Sequence, residues 1–198
     1  MPVISNVTVE CLVPSAGVHR IFVDLLRGIA NVINTRFNLG LEINENGFVE
    51  TKALAEILGT EDDGKIRTQA LKVDKAVLGD LRKFTTEAVN DDFGLRNRGD
   101  DDVYFTVKCA DEKQRYPEKA PTYKPLNANQ SLVVDTVFEF SGGGPVEVRI
   151  LEKDAPGNPD DCLGVVTVPG DELAAYTFVL TSREESSIYV LSFDVART

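Results

Sequence analysis

Four carboxylates crowd one short loop. Glu152 and Asp154 stand on its first limb and Asp160 and Asp161 on its second, with Ala-Pro-Gly-Asn-Pro between them. Ionised, such side chains offer acceptors only, and their mutual repulsion is relieved by open water or by a cation. A hard cation such as calcium takes about six to eight oxygens without strict angles, so a flexible acidic loop suits it. Glu152 and Asp154 alternate at the end of an apolar run, which points both carboxylates to one side of an extended strand, while Asp160 and Asp161 return from the far limb. A second cluster, Asp100, Asp101 and Asp102, directly precedes the run Val103–Cys109 and is positioned to close over the first at one rim. A solvated acidic turn between strands has the same composition, and the spacing alone leaves both readings open.

Other chemistry has less to stand on. The only histidine, His19, opens a helical stretch, and no Gly-x-Ser-x-Gly surrounds any serine, so a nucleophilic triad is not indicated. Cys11, Cys109 and Cys162 show no C-x-x-C spacing. Cys11 and Cys109 fall in phase with apolar neighbours, which predicts buried free thiols in a reducing compartment and neither a disulfide framework nor a zinc site. Gly142-Gly-Gly144 lacks the Lys-Ser/Thr of a phosphate loop and reads as a hairpin turn. The run Glu42-Ile-Asn44-Glu-Asn46-Gly47 carries the early acceptors and the glycine of a helix–loop–helix calcium loop, and Asp62-Asp63-Gly64 echoes it. Ala53 and Ala70 stand where the closing bidentate Glu belongs, so both are expected to be turns. Without tryptophan there is no evident sugar platform. The chain is expected to be noncatalytic, a hydrolase built on the acidic rim being the remaining enzymatic reading.

A chain of 198 residues, 42% hydrophobic and 27% charged, is long enough for one good core with a small annex. Its net charge of −11 repels phosphates and anionic lipid unless a cation intervenes, which disfavours direct nucleic-acid binding. No segment approaches the roughly 20 apolar residues of a transmembrane span, and the first residues lack a basic and then apolar leader. The expected compartment is the cytoplasm, with leaderless export the other route.

Two periodicities divide the chain. Val7, Val9, Cys11 and Val13 alternate with Thr8, Glu10 and Leu12, a half-buried strand. Val18, Phe22, Leu25, Leu26, Ile29, Val32, Ile33 and Phe37 then recur at helical steps; a short helix is expected around Thr51–Leu58; and Ile66, Ala70, Val73, Val77, Leu81, Phe84 and Ala88 predict a third. From Val103 onward the pattern returns to strands: Val103–Cys109, then Leu132 to Phe140, Val146–Ile150, Leu163–Val168, Tyr176–Thr181 and Ile188–Val195, with a Pro-rich connector after Tyr116. The fold class is α+β. Residues 1–13 and 101–198 are expected to make an antiparallel β-sandwich, and residues 14–100 an inserted helical subdomain between its first and second strands. Two independent domains are the other arrangement.

In its strand region the chain resembles the C2 family of calcium-binding sandwiches. That family reads D-x-D, an acid six residues on, then a hydrophobic-Gly pair opening the next strand. Glu152, Asp154, Asp160 and Leu163-Gly164 fill those places, and Asp101-Asp102-Val103-Tyr104 looks like its earlier loop. The resemblance covers roughly residues 100–198 and the first strand. It implies a C2-like sandwich binding an anionic lipid surface or a protein partner through calcium, with Asp102, Glu152, Asp154 and Asp160 as ligands and Asp161 nearby. The alternative is a structural or assembly protein, such as a component of a bacterial particle or a toxin-associated subunit, with no metal role.

Overall fold

Val7, Val9 and Cys11 alternate because β1 (Pro2–Val13) is an interior strand of a sandwich. In this computed structural model the larger sheet, sheet I, runs in the order β10 (Phe138–Glu139), β1, β14 (Ser187–Arg197), β13 (Ala174–Ser182), β5 (Lys65–Lys72), β4 (Ile57–Asp62), with β9 (Gln130–Val133) also on β1. Sheet II runs β12 (Asp161–Val168), β11 (Val146–Glu152), β6 (Asp101–Cys109), β7 (Glu112–Tyr116), with β8 (Lys124–Leu126) also on β6. All these pairings are antiparallel. The structure describes residues 1–15, 26–31, 34–35, 42–43, 49–50, 57–62, 65–90, 100–119, 122–154, 156–182 and 185–197.

The inner faces of the two sheets share one core that includes Ile4, Phe105, Val148, Phe178, Leu191 and Phe193. Part of sheet I is covered on its outer face as well. Its outer face, through Leu12, Val13, Val179 and Val190, packs on helical residues 26–31 and 34–35 (α1) and on α2 (Lys75–Asn90). The outer layer fixes the composition of β1, where Glu10 lies on the helix side and takes a two-pronged ion pair from Arg82 of α2 at 2.6–3.0 Å. A register shift between Cys11 and Val13 moves Val13 off the expected inner face and into the helix-facing core. Gly28 of α1 accommodates the Phe84 ring where a side chain would stand, since an added Cβ would meet that ring at 2.0 Å.

The block 14–100 is not wholly helical. Residues 65–72 form β5, which pairs with β13 and extends sheet I, so the third expected helix begins only at Lys75. Asp74 caps it by accepting the Val77 N–H at 2.8 Å, which satisfies a donor that the helix leaves over. Of the expected short helix, 51–56 lie outside the described residues and 57–58 open β4. Glu42–Ile43 (β2) and Val49–Glu50 (β3) pair as a hairpin, so strands and not helices flank that acidic run, whose loop 44–48 lies outside the described residues. His19 and most of the first expected helix also lie outside them. The Pro-rich connector after Tyr116 is flanked by β7 and β8, two strands with little alternation to announce them. Cys11 and Cys109 are buried free thiols, as their phase implied. No helix among the described residues is long and apolar enough to cross a membrane.

Candidate metal centre

Antiparallel pairing brings five chain segments to one pole of the sandwich: the end of β1, the start of β6, the end of β11, the start of β12 and the turn between β13 and β14. At that pole the inter-sheet core gives way to polar groups. Asp101 is in phase with Val103, Phe105 and Val107 and therefore points inward, where it is 2% exposed. Glu152 is in phase with Ile150 and lies opposite Asp161 across the β11–β12 ladder. One carboxylate oxygen from each of Glu152, Asp161 and Glu185 lies within 4.8 Å of the others. Oxygens bound to one calcium ion at about 2.3–2.6 Å stand no more than roughly 5 Å apart, so the spacing suits such an ion.

Ser15 ties two of the acids together. Its backbone N–H donates to both Asp101 oxygens at 2.9 and 3.1 Å, and its hydroxyl lies 2.9 Å from Asp101 Oδ1 and 2.9 Å from Glu152 Oε2. A serine hydroxyl has one proton, so both of those contacts are hydrogen bonds only when a carboxyl carries a proton as well. Burial pushes the Glu152 carboxyl up to about 7; the Asp101 charge adds to the effect, the Ser15 hydroxyl opposes it, and Asp161 and Asp154 add further. Tyr189 donates its hydroxyl to Asp101 from the opposite sheet, and burial holds that phenol well above its ordinary range. The Cys11 thiol beside it is likewise raised by burial, as befits a core group and not a nucleophile.

The β13–β14 turn adds hydroxyls to the same pole. Ser182 and Ser187 form the last cross-strand pair, in phase with Leu180 and Tyr189, whose side chains face the inter-sheet core. Ser182 Oγ accepts the Glu185 N–H at 3.4 Å, and Ser186 holds a left-handed backbone conformation with φ of 52°. Ser187 is fully buried, and its hydroxyl has no hydrogen-bond partner among the described residues. Such a hydroxyl costs about 1–3 kcal/mol when it goes unanswered.

The predicted residues divide between two environments. Glu152 and Asp161 enter the cluster. Asp160 lies outside it: burial opposes ionisation, yet the Lys153 ammonium and the Tyr104 hydroxyl, at 2.5 Å, hold its carboxyl below the ordinary range. Asp154 is half-buried and near enough for its charge to act on Glu152, without joining the three. Asp102 is tied in through its backbone, its carbonyl accepting the Lys153 N–H at 2.9 Å, while its side chain takes the outward phase of β6. Asp101, outside the ligand set that the resemblance implies, shares the inward phase of Val103, a signal present in the sequence. Ser15, Glu185 and Ser187 reach the pole only through strand pairing and carried no local signal.

No family model matches the chain, and no curated protein matches it. The solved structure of a C2 domain-containing protein is similar over 55% of this chain and 79% of its own length, at 19% identity and a TM-score of 0.30. A likeness that loose bears no weight in assigning an activity.

Proposed function

We propose that this chain is a noncatalytic binding module whose acidic pole takes calcium and, through the ion, an anionic partner. The observation that carries the reading is the convergence of Glu152, Asp161 and Glu185 from three separate segments to within 4.8 Å. Three carboxylates so placed repel one another, and an ion that neutralises them orders the segments that bear them. The set is all oxygen, which favours a hard cation such as calcium over zinc or copper. The three acids are half-buried, so one side of the ion faces outward, where it can accept a phosphate or carboxylate from a partner. With a net charge of −11, the chain needs such a bridge to approach an anionic surface.

Thermal melting with and without calcium chloride tests the reading. At calcium about 100-fold above Kd the folded chain gains about 2.7 kcal/mol, a clear rise in Tm. A melting curve indifferent to millimolar calcium removes the proposal. Sedimentation with phosphatidylserine vesicles identifies the partner class: calcium-dependent co-sedimentation points to a lipid surface, and calcium-dependent melting without it points to a protein. A stable oligomer by light scattering, with no calcium effect, supports the assembly reading instead.

A further inference from the structure

We infer that Arg115 is a latch that makes one unit of two loops, the connector that follows β7 and the loop between β11 and β12, so that the two order and loosen together. The unit needs no bound ion. Register places Arg115 on the outer face of sheet II, directly opposite Thr106 of β6 and in the phase that points away from Tyr116, whose ring stacks on Phe105 in the core at 5.5 Å. From that place the guanidinium lies over the Tyr104 ring, its carbon 4.1 Å from the ring centroid.

The guanidinium holds the connector. Its Nη1 donates to the Pro117 carbonyl at 2.5 Å and to the Lys119 carbonyl at 3.3 Å, and its Nη2 donates to the Thr122 carbonyl at 2.7 Å. The Thr122 N–H, at 2.9 Å, and the Thr122 hydroxyl donate in turn to the Lys119 carbonyl, so one side chain closes the connector on itself. A planar fork of fixed donors answers three carbonyls from one position, which a lysine ammonium on a flexible stem does not reproduce. The platform beneath that fork is tied to the other loop. Tyr104 donates its hydroxyl to Asp160 at 2.5 Å, the Lys153 ammonium pairs with the same carboxylate, and the Lys153 N–H donates to the Asp102 carbonyl at 2.9 Å. Tyr104 is 9% exposed, so the ring has little room to turn while Arg115 and Asp160 stay in place. One ring therefore carries both attachments, its face seating the guanidinium and its hydroxyl seating the acid. Packed and hydrogen-bonded side chains in unbroken contact carry a displacement at one loop to the other.

Nitrogen-15 relaxation on the full chain without calcium tests the latch, in the wild type, Arg115→Lys and Tyr104→Phe. Arg115→Lys keeps the charge and loses the fork, whose hydrogen bonds go to the connector. It is expected to lower the order parameters of the Lys119 and Thr122 amides to about 0.6 or below, and those of Asp154 and Asn158 by about 0.1 or more. Tyr104→Phe keeps the ring under Arg115 and removes only the hydroxyl bound to Asp160. It is expected to lower Asp154 and Asn158 most and Lys119 and Thr122 by about 0.1 or more, while amides of the β13–β14 ladder stay near about 0.85 in both variants. These picosecond-to-nanosecond values do not report global stability, so a modest loss of folding free energy does not imitate the result. A fall confined to one loop in either variant, a fall that the β13–β14 ladder shares, or no fall at all overturns the coupling; if one variant does not fold, the other decides.

Discussion

Glu152 and Asp160 border the same hairpin loop, and their surroundings are opposite. Asp160 faces an ammonium and a phenol and is held below the ordinary carboxyl range; Glu152 faces a hydroxyl and like charges in a desolvated corner and is raised to about 7. One is set to stay ionised as part of a structural link between loop and sheet. The other has its charged form disfavoured by burial and by the like charge of Asp101. Spacing along the loop does not show this contrast; the environments of the two neighbouring carboxyls do.

The largest test of that contrast acts on the brace beneath Glu152. Asp101→Ala strands the Ser15 N–H and the Tyr189 hydroxyl in a buried site and is expected to destabilise the chain by about 3 kcal/mol in urea melts. It also removes the charge that acts most strongly on Glu152, so the Glu152 carboxyl is expected to titrate at lower pH, read by carbon-13 chemical shift. An unchanged titration after loss of Asp101 would break the electrostatic account of the pole.

The pH dependence of stability comes next. Glu152 is raised in the fold, so the folded chain holds its proton more tightly than the unfolded chain does. Its contribution is complete below the ordinary carboxyl range and is lost as pH rises through about 7. Asp160 is lowered, so its contribution has the reverse sign, present at neutral pH and lost as the solution is acidified through its depressed value. Without calcium, urea midpoints are expected to decline between about pH 5 and 8 as Glu152 ionises. Glu152→Gln is expected to flatten that decline, and Asp160→Asn to leave it in place. A decline that survives in Glu152→Gln belongs to another group.

The smallest effect sharpens the other side of the comparison. Tyr104→Phe removes the hydroxyl that donates to Asp160 and is expected to cost about 1 kcal/mol, without altering calcium affinity. A loss of calcium binding in Tyr104→Phe would move the site outward to the loop.

Much of the sandwich was legible in the chain because alternation is a local signal. β6, β11, β12, β13 and β14 each bury one face in the inter-sheet core, and their apolar phase marked them. The β4–β5 hairpin was not legible, since Ile66, Ala70 and Val73 mimic a helical stripe, and the partner that makes a strand of 65–72 is β13, more than a hundred residues later. Asp74 ahead of Val77 was the available sign that the helix starts late. At the pole, the Glu152–Asp161 pairing followed from the hairpin itself. The inward turn of Asp101 follows from its phase with Val103, whereas the family spacing points to Asp102. Glu185 and Ser187 depend on how the two sheets stack, which no local pattern encodes.

The most direct test of the central claim counts protons as calcium binds. With chelator-treated chain at pH 7, titrated with calcium chloride in two buffers of different ionisation heat, the account predicts saturable one-site binding with release of about half a proton per ion, since Glu152 is then about half protonated. Binding with no proton release would place the ion away from Glu152, and no binding heat at millimolar calcium would contradict a cation-taking pole altogether.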